Sequence, residues 1–140
     1  MDTNRIAAQI SDVRIKMNGF LIKELQNHGI TGLAPSHGAI LNHLFHNEKV
    51  AMKDLAKAVR RDKSTVTTLV GKLIAGGYVE KVASNDDQRS TLVRLTMRGE
   101  ELRPVFIEIS EVLLNRIWQG IEVQEQQEVV RILKKIASNF

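Results

Sequence analysis

Apolar side chains recur at three- and four-residue steps along most of this 140-residue chain, the spacing of one face of an α-helix. The first such run, residues 5–26, carries Ile6, Ile10, Val13, Met17, Phe20, Leu21 and Leu25 on one side and predicts a long amphipathic helix. It stops at NHGITGLAPS, where Gly29, Gly32 and Pro35 break the period and Ser36 stands near the start of the next helical run. Ile40, Leu41, Leu44 and Phe45 give that second helix its buried side.

Met52, Leu55, Ala56 and Val59 predict a short third helix, and RRDKS interrupts it before Val66, Leu69, Val70, Leu73 and Ile74 resume the period. Gly76 and Gly77 close the fourth helix, because glycine tolerates the left-handed conformation that a helix C-terminus commonly needs. YVEKV and TLVRL then alternate apolar with polar residues, the period of half-exposed strands, and together predict a two-stranded hairpin. Thr96 is the expected N-cap of a long helix through about Gln119, carrying Leu102, Val105, Phe106, Ile109, Val112, Leu113 and Ile117, with Gly120 ending it. A last amphipathic helix with Val129, Val130, Leu133 and Ile136 runs almost to Phe140. The expected architecture is one domain over residues 1–140, mainly α with a small β-hairpin (α+β), in the order helix, three helices, hairpin, two helices.

Charge changes the picture more by its placement than by its net value of +4. Residues 49–98 hold 11 Lys/Arg against 5 Asp/Glu, whereas residues 1–48 are balanced and residues 99–140 are acidic, with 5 against 7. A basic centre between neutral and acidic flanks points to a polyanionic partner. The absence of cysteine excludes disulfides, thiolate metal sites and thiol redox switching. No stretch reaches the roughly 18 apolar residues of a membrane span, and the N-terminal MDTNRIAAQI lacks the layout of a secretory signal, so a cytoplasmic protein that does not engage membranes is expected.

Two short helices joined by a tight polar turn, followed by a hairpin inside the basic region, have the layout of a winged helix-turn-helix. The second helix of such a pair enters the major groove of double-stranded DNA, while phosphate contacts fix its register. Between its apolar positions, DKSTVTTLVGK exposes Lys63, Ser64, Thr65, Thr67, Thr68 and Lys72. Hydroxyls of this kind can donate to phosphates or bases, and threonine methyls can meet thymine methyls.

The stretch MKDLAKAVRRDKSTVTTLVGKLIAGGYVEKVASNDDQRSTLVRLTMRGEEL resembles the MarR family of bacterial transcription regulators, above all in DLAKAV, STVTTLVGKLIAGGYV, DDQRS and RLTMRG. The flanking helices fall where that family has its dimerisation elements, so the likeness spans nearly the whole chain. The resemblance implies a homodimer, with residues 1–33 and 100–140 as dimerisation helices and residues 34–99 as the winged helix-turn-helix lobe. It implies binding to an inverted-repeat operator, a repressor's role, and release by a small aromatic or acidic effector between the terminal helices and the lobe; Met17, Leu21, Ile40, His43 and Leu44 are the candidate lining residues. NDDQR is then the wing tip. Asp87 and Arg89 match the family's pattern there, and the arginine is the residue that enters the minor groove. Gln88 departs from the pattern and removes one positive charge, and Thr68 stands where many relatives carry arginine, so base readout does not transfer from them.

Other chemistry has less to build on. His28, His37, His43 and His46 all lie in the first third near Glu24, but no histidine follows residue 46, so no metal site and no cofactor are expected. His37 and His43 equally suit a small anion. The hydroxyl-rich helix has no histidine near it in sequence, and the chain shows no glycine loop for phosphate and no paired carboxylates in an obvious cleft, so it is not expected to be an enzyme. The alternatives left open are a metal-responsive regulator of the same fold and a protein-interaction module that does not bind DNA.

Overall fold

The structure is a computed structural model that describes residues 1–83 and 91–140. A short 3₁₀ turn leads into α1 (Ile6–Asn27), followed by α2 (Pro35–His46), β1 (Val50–Ala51), α3 (Met52–Val59) and α4 (Lys63–Ala75). Strands β2 (Val79–Ala83) and β3 (Thr91–Leu95) come next, then α5 (Met97–Glu100), α6 (Arg103–Ile117) and α7 (Val123–Ser138). The fold is mainly α with a small antiparallel sheet, as the periodicity predicts.

Two expectations need correction. The sheet has three strands, ordered β1-β3-β2, not two: Val50 pairs with Val93 and Ala51 with Leu92 along the outer edge of β3. A two-residue strand is too short to show a period of its own. The helix expected to run unbroken from Thr96 to Gln119 is split between α5 and α6. Thr96 does cap α5, accepting the Gly99 N–H at 3.1 Å, but Pro104 lies in the first turn of α6. Proline has no N–H to continue an earlier helix and its ring clashes with the carbonyl four residues back, here Glu100, so the chain must start a new helix.

The core sits in the lobe between α2 and β3. Ile40, Leu41, Leu55, Val66, Val70, Leu73, Val79 and Val93 are its most deeply buried large side chains, and they come from α2, α3, α4, β2 and β3. The terminal helices contribute at the margin, through Leu25 of α1 and Ile109 of α6. Two contacts fasten α6 to this lobe. Phe45 and Phe106 meet edge to face with centroids 5.4 Å apart. Arg103, held by Glu100, stacks over the Phe45 ring and donates to the Phe45 carbonyl at 2.5 Å, engaging one of the carbonyls that the end of α2 leaves without a helical partner. α7 buries none of its residues. Among the described residues no helix is long and apolar enough to cross a membrane.

Candidate nucleic-acid interface

The turn between α3 and α4 is built by Arg60, Arg61 and Asp62. Arg60 takes the left-handed conformation (φ 57°), and the Arg61 N–H closes back on the Ala56 carbonyl at 3.1 Å. Glycine usually fills such a helix-ending position. Asp62 then starts α4 in extended conformation, its carbonyl accepting the Val66 N–H at 3.1 Å. Its carboxylate accepts the hydroxyls of Ser64, at 2.6 Å, and of Thr65. Those two bonds, the Ser64 bond foremost, hold the Asp62 carboxyl below the usual carboxylate range. Val66, Val70 and Leu73 anchor α4 in the core, which turns Ser64, Thr67 and Thr68 outward.

Lys63, Ser64, Thr67 and Thr68 line one concave face together with Met52, Lys81 and Thr91. Alternation along the strands explains the last two. Val79 and Lys81 share a sheet face, and β3 pairs Val93 opposite Lys81 and Thr91 opposite Ala83. On this face Val79 and Val93 are buried, whereas Lys81, across from Val93 on the edge strand β2, and Thr91, two residues before Val93 on β3, are exposed beside the first turns of α4. Sequence reading missed Met52, Lys81 and Thr91, and the signal for the latter two was their parity with the buried valines. Arg94, also basic and on the wing, pairs with Glu80 directly across the sheet at 2.7 Å.

Two predicted residues of α4 stand apart from that face. Thr65 is half-buried and turned toward Asp62. Lys72 lies a turn beyond Thr68, where its charge acts on His37 of α2. Asp87, Gln88 and Arg89, the predicted wing tip, lie outside the described residues.

Thr96 and Gly99 of the RLTMRG stretch lock the wing to α4. The Thr96 N–H donates to the Tyr78 carbonyl at 3.0 Å, and the Thr96 hydroxyl donates to the Gly77 carbonyl at 2.5 Å. Gly77 takes φ +81°, the left-handed turn after α4 that the paired glycines predict. Arg98 stacks on the Tyr78 ring, with its guanidinium 4.8 Å from the ring centroid.

A second cavity, of about 260 Å³, lies between α1, α2 and α6 and is lined chiefly by Leu21, Leu25, Pro35, Gly38, Phe106, Ile109 and Leu113, with Asn42 and Ser110 as polar groups. Its volume is near the lower end of small-molecule pockets, about 300 Å³. Of the five residues predicted to line an effector site, Leu21 lines this cavity. Met17 is half-buried one turn earlier on α1, and His43 is half-buried on α2. Ile40 and Leu44, at 0% and 3% exposure, belong to the core on the other side of α2.

The histidines do different work. His37 is buried, and its Nδ1 accepts the Ala34 N–H at 2.9 Å, capping α2 from its third residue. Burial, with the nearby Lys72 charge, holds its pKa below the ordinary histidine value. His28, at the end of α1, donates from Nδ1 to the Glu24 carbonyl at 2.9 Å and faces the Glu108 carboxylate of α6 at 3.4 Å, and these acceptors raise its pKa. His46 bonds back to the Asn42 carbonyl at 2.8 Å. Among the described residues, no three His, Asp or Glu side chains gather as a metal site.

Comparison with known proteins agrees with this geometry. A winged helix DNA-binding domain model matches residues 33–99. The chain is 31% identical to the HTH-type transcriptional regulator SarZ of Staphylococcus haemolyticus over 100 residues, covering 71% of this chain and 67% of that protein. It is 30% identical to SarZ of Staphylococcus epidermidis, over 78% of this chain and 73% of that one. Among solved structures, a MarR mutant from Escherichia coli complexed with operator DNA superposes with a TM-score of 0.84 at 19% identity, covering 97% and 99% of the two chains. A MarR protein from Peptoclostridium difficile superposes at 0.86 and 22% identity, over 99% of this chain and 88% of the other. With its α4 face, its wing and these relatives, the chain belongs to the MarR family of winged helix-turn-helix transcriptional regulators.

Proposed function

We propose that this transcriptional regulator acts as a homodimer that binds an inverted-repeat operator, represses transcription there, is released by a small aromatic or acidic effector, and performs no catalysis of its own. The observation that carries this reading is α7. It has no buried residue in the single chain, yet Val129, Ile132 and Leu133, at 40%, 42% and 48% exposure, form with Ile136 and with Ile6 of α1 a continuous apolar groove. A helix with an unshielded apolar stripe of this kind is stable in water only against a partner. A second copy related by a two-fold axis supplies one. Residues 1–33 and 100–140 are then the dimerisation unit and residues 34–99 the reading lobe.

In this reading Lys63, Ser64, Thr67 and Thr68, supported by Thr65 and Lys72, enter the major groove, and Asp87, Gln88 and Arg89 serve the wing's minor-groove contact. Two-fold symmetry places the half-sites about one helical turn, roughly 10 bp, apart. The cavity between α1, α2 and α6 suits an effector by position: it touches both the terminal helices and the first helix of the lobe, so a ligand there bears on how the two lobes are spaced. Footprinting on duplexes selected by the full chain tests this. Paired half-sites on one face of the helix are expected, with protection lost when small aromatic acids occupy the protein. Protection of isolated single half-sites would overturn the dimeric reading.

A further inference from the structure

All four hydroxyl protons on the first two turns of α4 are already engaged. Ser64 and Thr65 donate theirs to the Asp62 carboxylate, Ser64 at 2.6 Å. One turn on, Thr67 donates to the Lys63 carbonyl at 2.8 Å and Thr68 to the Ser64 carbonyl at 3.1 Å. A hydroxyl has one proton and two lone pairs. What Ser64, Thr67 and Thr68 present to the concave face is therefore oxygen lone pairs and, for the threonines, methyl groups, with Lys63 as the helix's amine donor there.

We propose that α4 reads its operator through hydroxyl lone pairs and threonine methyls, not through hydroxyl protons, and that Asp62 is the positioning residue that sets this polarity at the start of the helix. The inference rests on the DNA-binding reading above and adds the class of base edge recognised. In the major groove the groups that match are the exocyclic amino groups of adenine and cytosine and the C5 methyl of thymine. Purine N7 and guanine O6 only accept, and they find no partner among these four hydroxyls.

The placement of Asp62 supports this assignment. An exposed carboxylate at the DNA-facing end of a recognition helix repels phosphate, so its presence there calls for a local role, and its two hydroxyl bonds supply one. Bonds to a charged acceptor are also the stronger kind, so the Ser64 and Thr65 protons are the hardest of the four to redirect.

The test uses the full chain and an operator selected from randomised duplexes, modified one position at a time. Thymine-to-uracil changes remove a methyl; purine-to-7-deazapurine changes remove the N7 acceptor. For the unaltered protein, at least one uracil substitution in each half-site should weaken binding by about threefold or more. Any 7-deaza effect should persist unchanged in Thr67→Val and Thr68→Val, because it belongs to an amine or to the wing. Asp62→Ala releases the Ser64 and Thr65 protons and should create a new 7-deaza sensitivity of about fivefold, the size of one ordinary hydrogen bond. Asp62→Asn, whose amide oxygen still accepts one hydroxyl, should create a smaller one. A 7-deaza effect that vanishes in Thr67→Val or Thr68→Val would show those hydroxyls donating to purines and overturn the proposal. Those two variants decide the matter even where an Asp62 variant does not fold. Selection of no duplex at all by the unaltered chain would instead overturn the DNA-binding reading beneath it.

Discussion

Gly99 packs so closely on the backbone of Tyr78 that a Cβ at residue 99 would overlap the Tyr78 carbonyl oxygen, with the Leu95 side chain 3.0 Å away on another side. The obstruction is backbone that also accepts the Thr96 N–H, so it cannot swing aside as a side-chain tip would. This contact holds the start of α5 against the base of β2 and fixes how the wing stands relative to α4. Gly99→Ala should therefore destabilise the protein by about 3 kcal/mol, the upper range for overpacking. Urea denaturation checks this as a lower midpoint with an unchanged slope. A loss well under 1 kcal/mol would mean that α5 is free to shift.

Arg60 is a non-glycine residue in left-handed conformation, which costs an L-residue about 1–2 kcal/mol, whereas the added freedom of glycine in the unfolded chain costs somewhat less. Arg60→Gly should thus leave stability unchanged or raise it by up to about 1 kcal/mol. It also removes one cation from the helix-turn-helix turn, so operator affinity should fall and the salt dependence lose about one phosphate equivalent. Thermal melts and titrations at several salt concentrations measure the two effects separately.

His37 makes stability depend on pH with a definite sign. Its pKa is depressed in the folded protein, so the unfolded chain takes up the proton first as pH falls below about 6.5. Its contribution is fully present above that pH and is lost as pH falls toward the folded value. His28, whose pKa is raised, acts in the opposite sense: its contribution is present below about 6.5 and lost as pH rises through the folded value. Glutamine at the third position of a helix can keep the cap on Ala34. His37→Gln should therefore flatten the acid-side loss of stability between pH 7.5 and 5.5, and His28→Gln should steepen it. Urea midpoints at the two pH values, measured for each variant against the unaltered protein, check both signs.

Periodicity predicts that a helix has a buried face but not which neighbour covers it. The bounds of α1, the start of α2, the two-helix turn and the paired glycines at the end of α4 are legible, because glycine, proline and three- or four-residue spacing act locally. Ile40 and Leu44 show what is lost beyond that: their buried face meets the lobe's core, while the cavity opens against Gly38 and Asn42 on another side of the same helix. Lys72 reads as one more cation of the recognition helix, and only folding brings it near His37. Lys81 and Thr91 join the α4 face through strand parity combined with three-dimensional approach. The break at Pro104 was visible in the sequence, but an apolar period running through it hid the consequence.

In the proposed dimer, α7 and its apolar groove join two chains so that two α4 helices read DNA together. Leu133→Lys places a charge in that groove without touching the core of the single chain, since α7 contributes nothing to it. Sedimentation of the 140-residue variant beside the unaltered chain, each alone and with an inverted-repeat operator, measures this joining. A two-chain mass is expected for the unaltered protein, a one-chain mass for Leu133→Lys, and loss of the variant's operator binding at concentrations where the unaltered protein saturates. A one-chain mass for the unaltered protein bound to the full operator, or an undiminished dimer in Leu133→Lys, would contradict it.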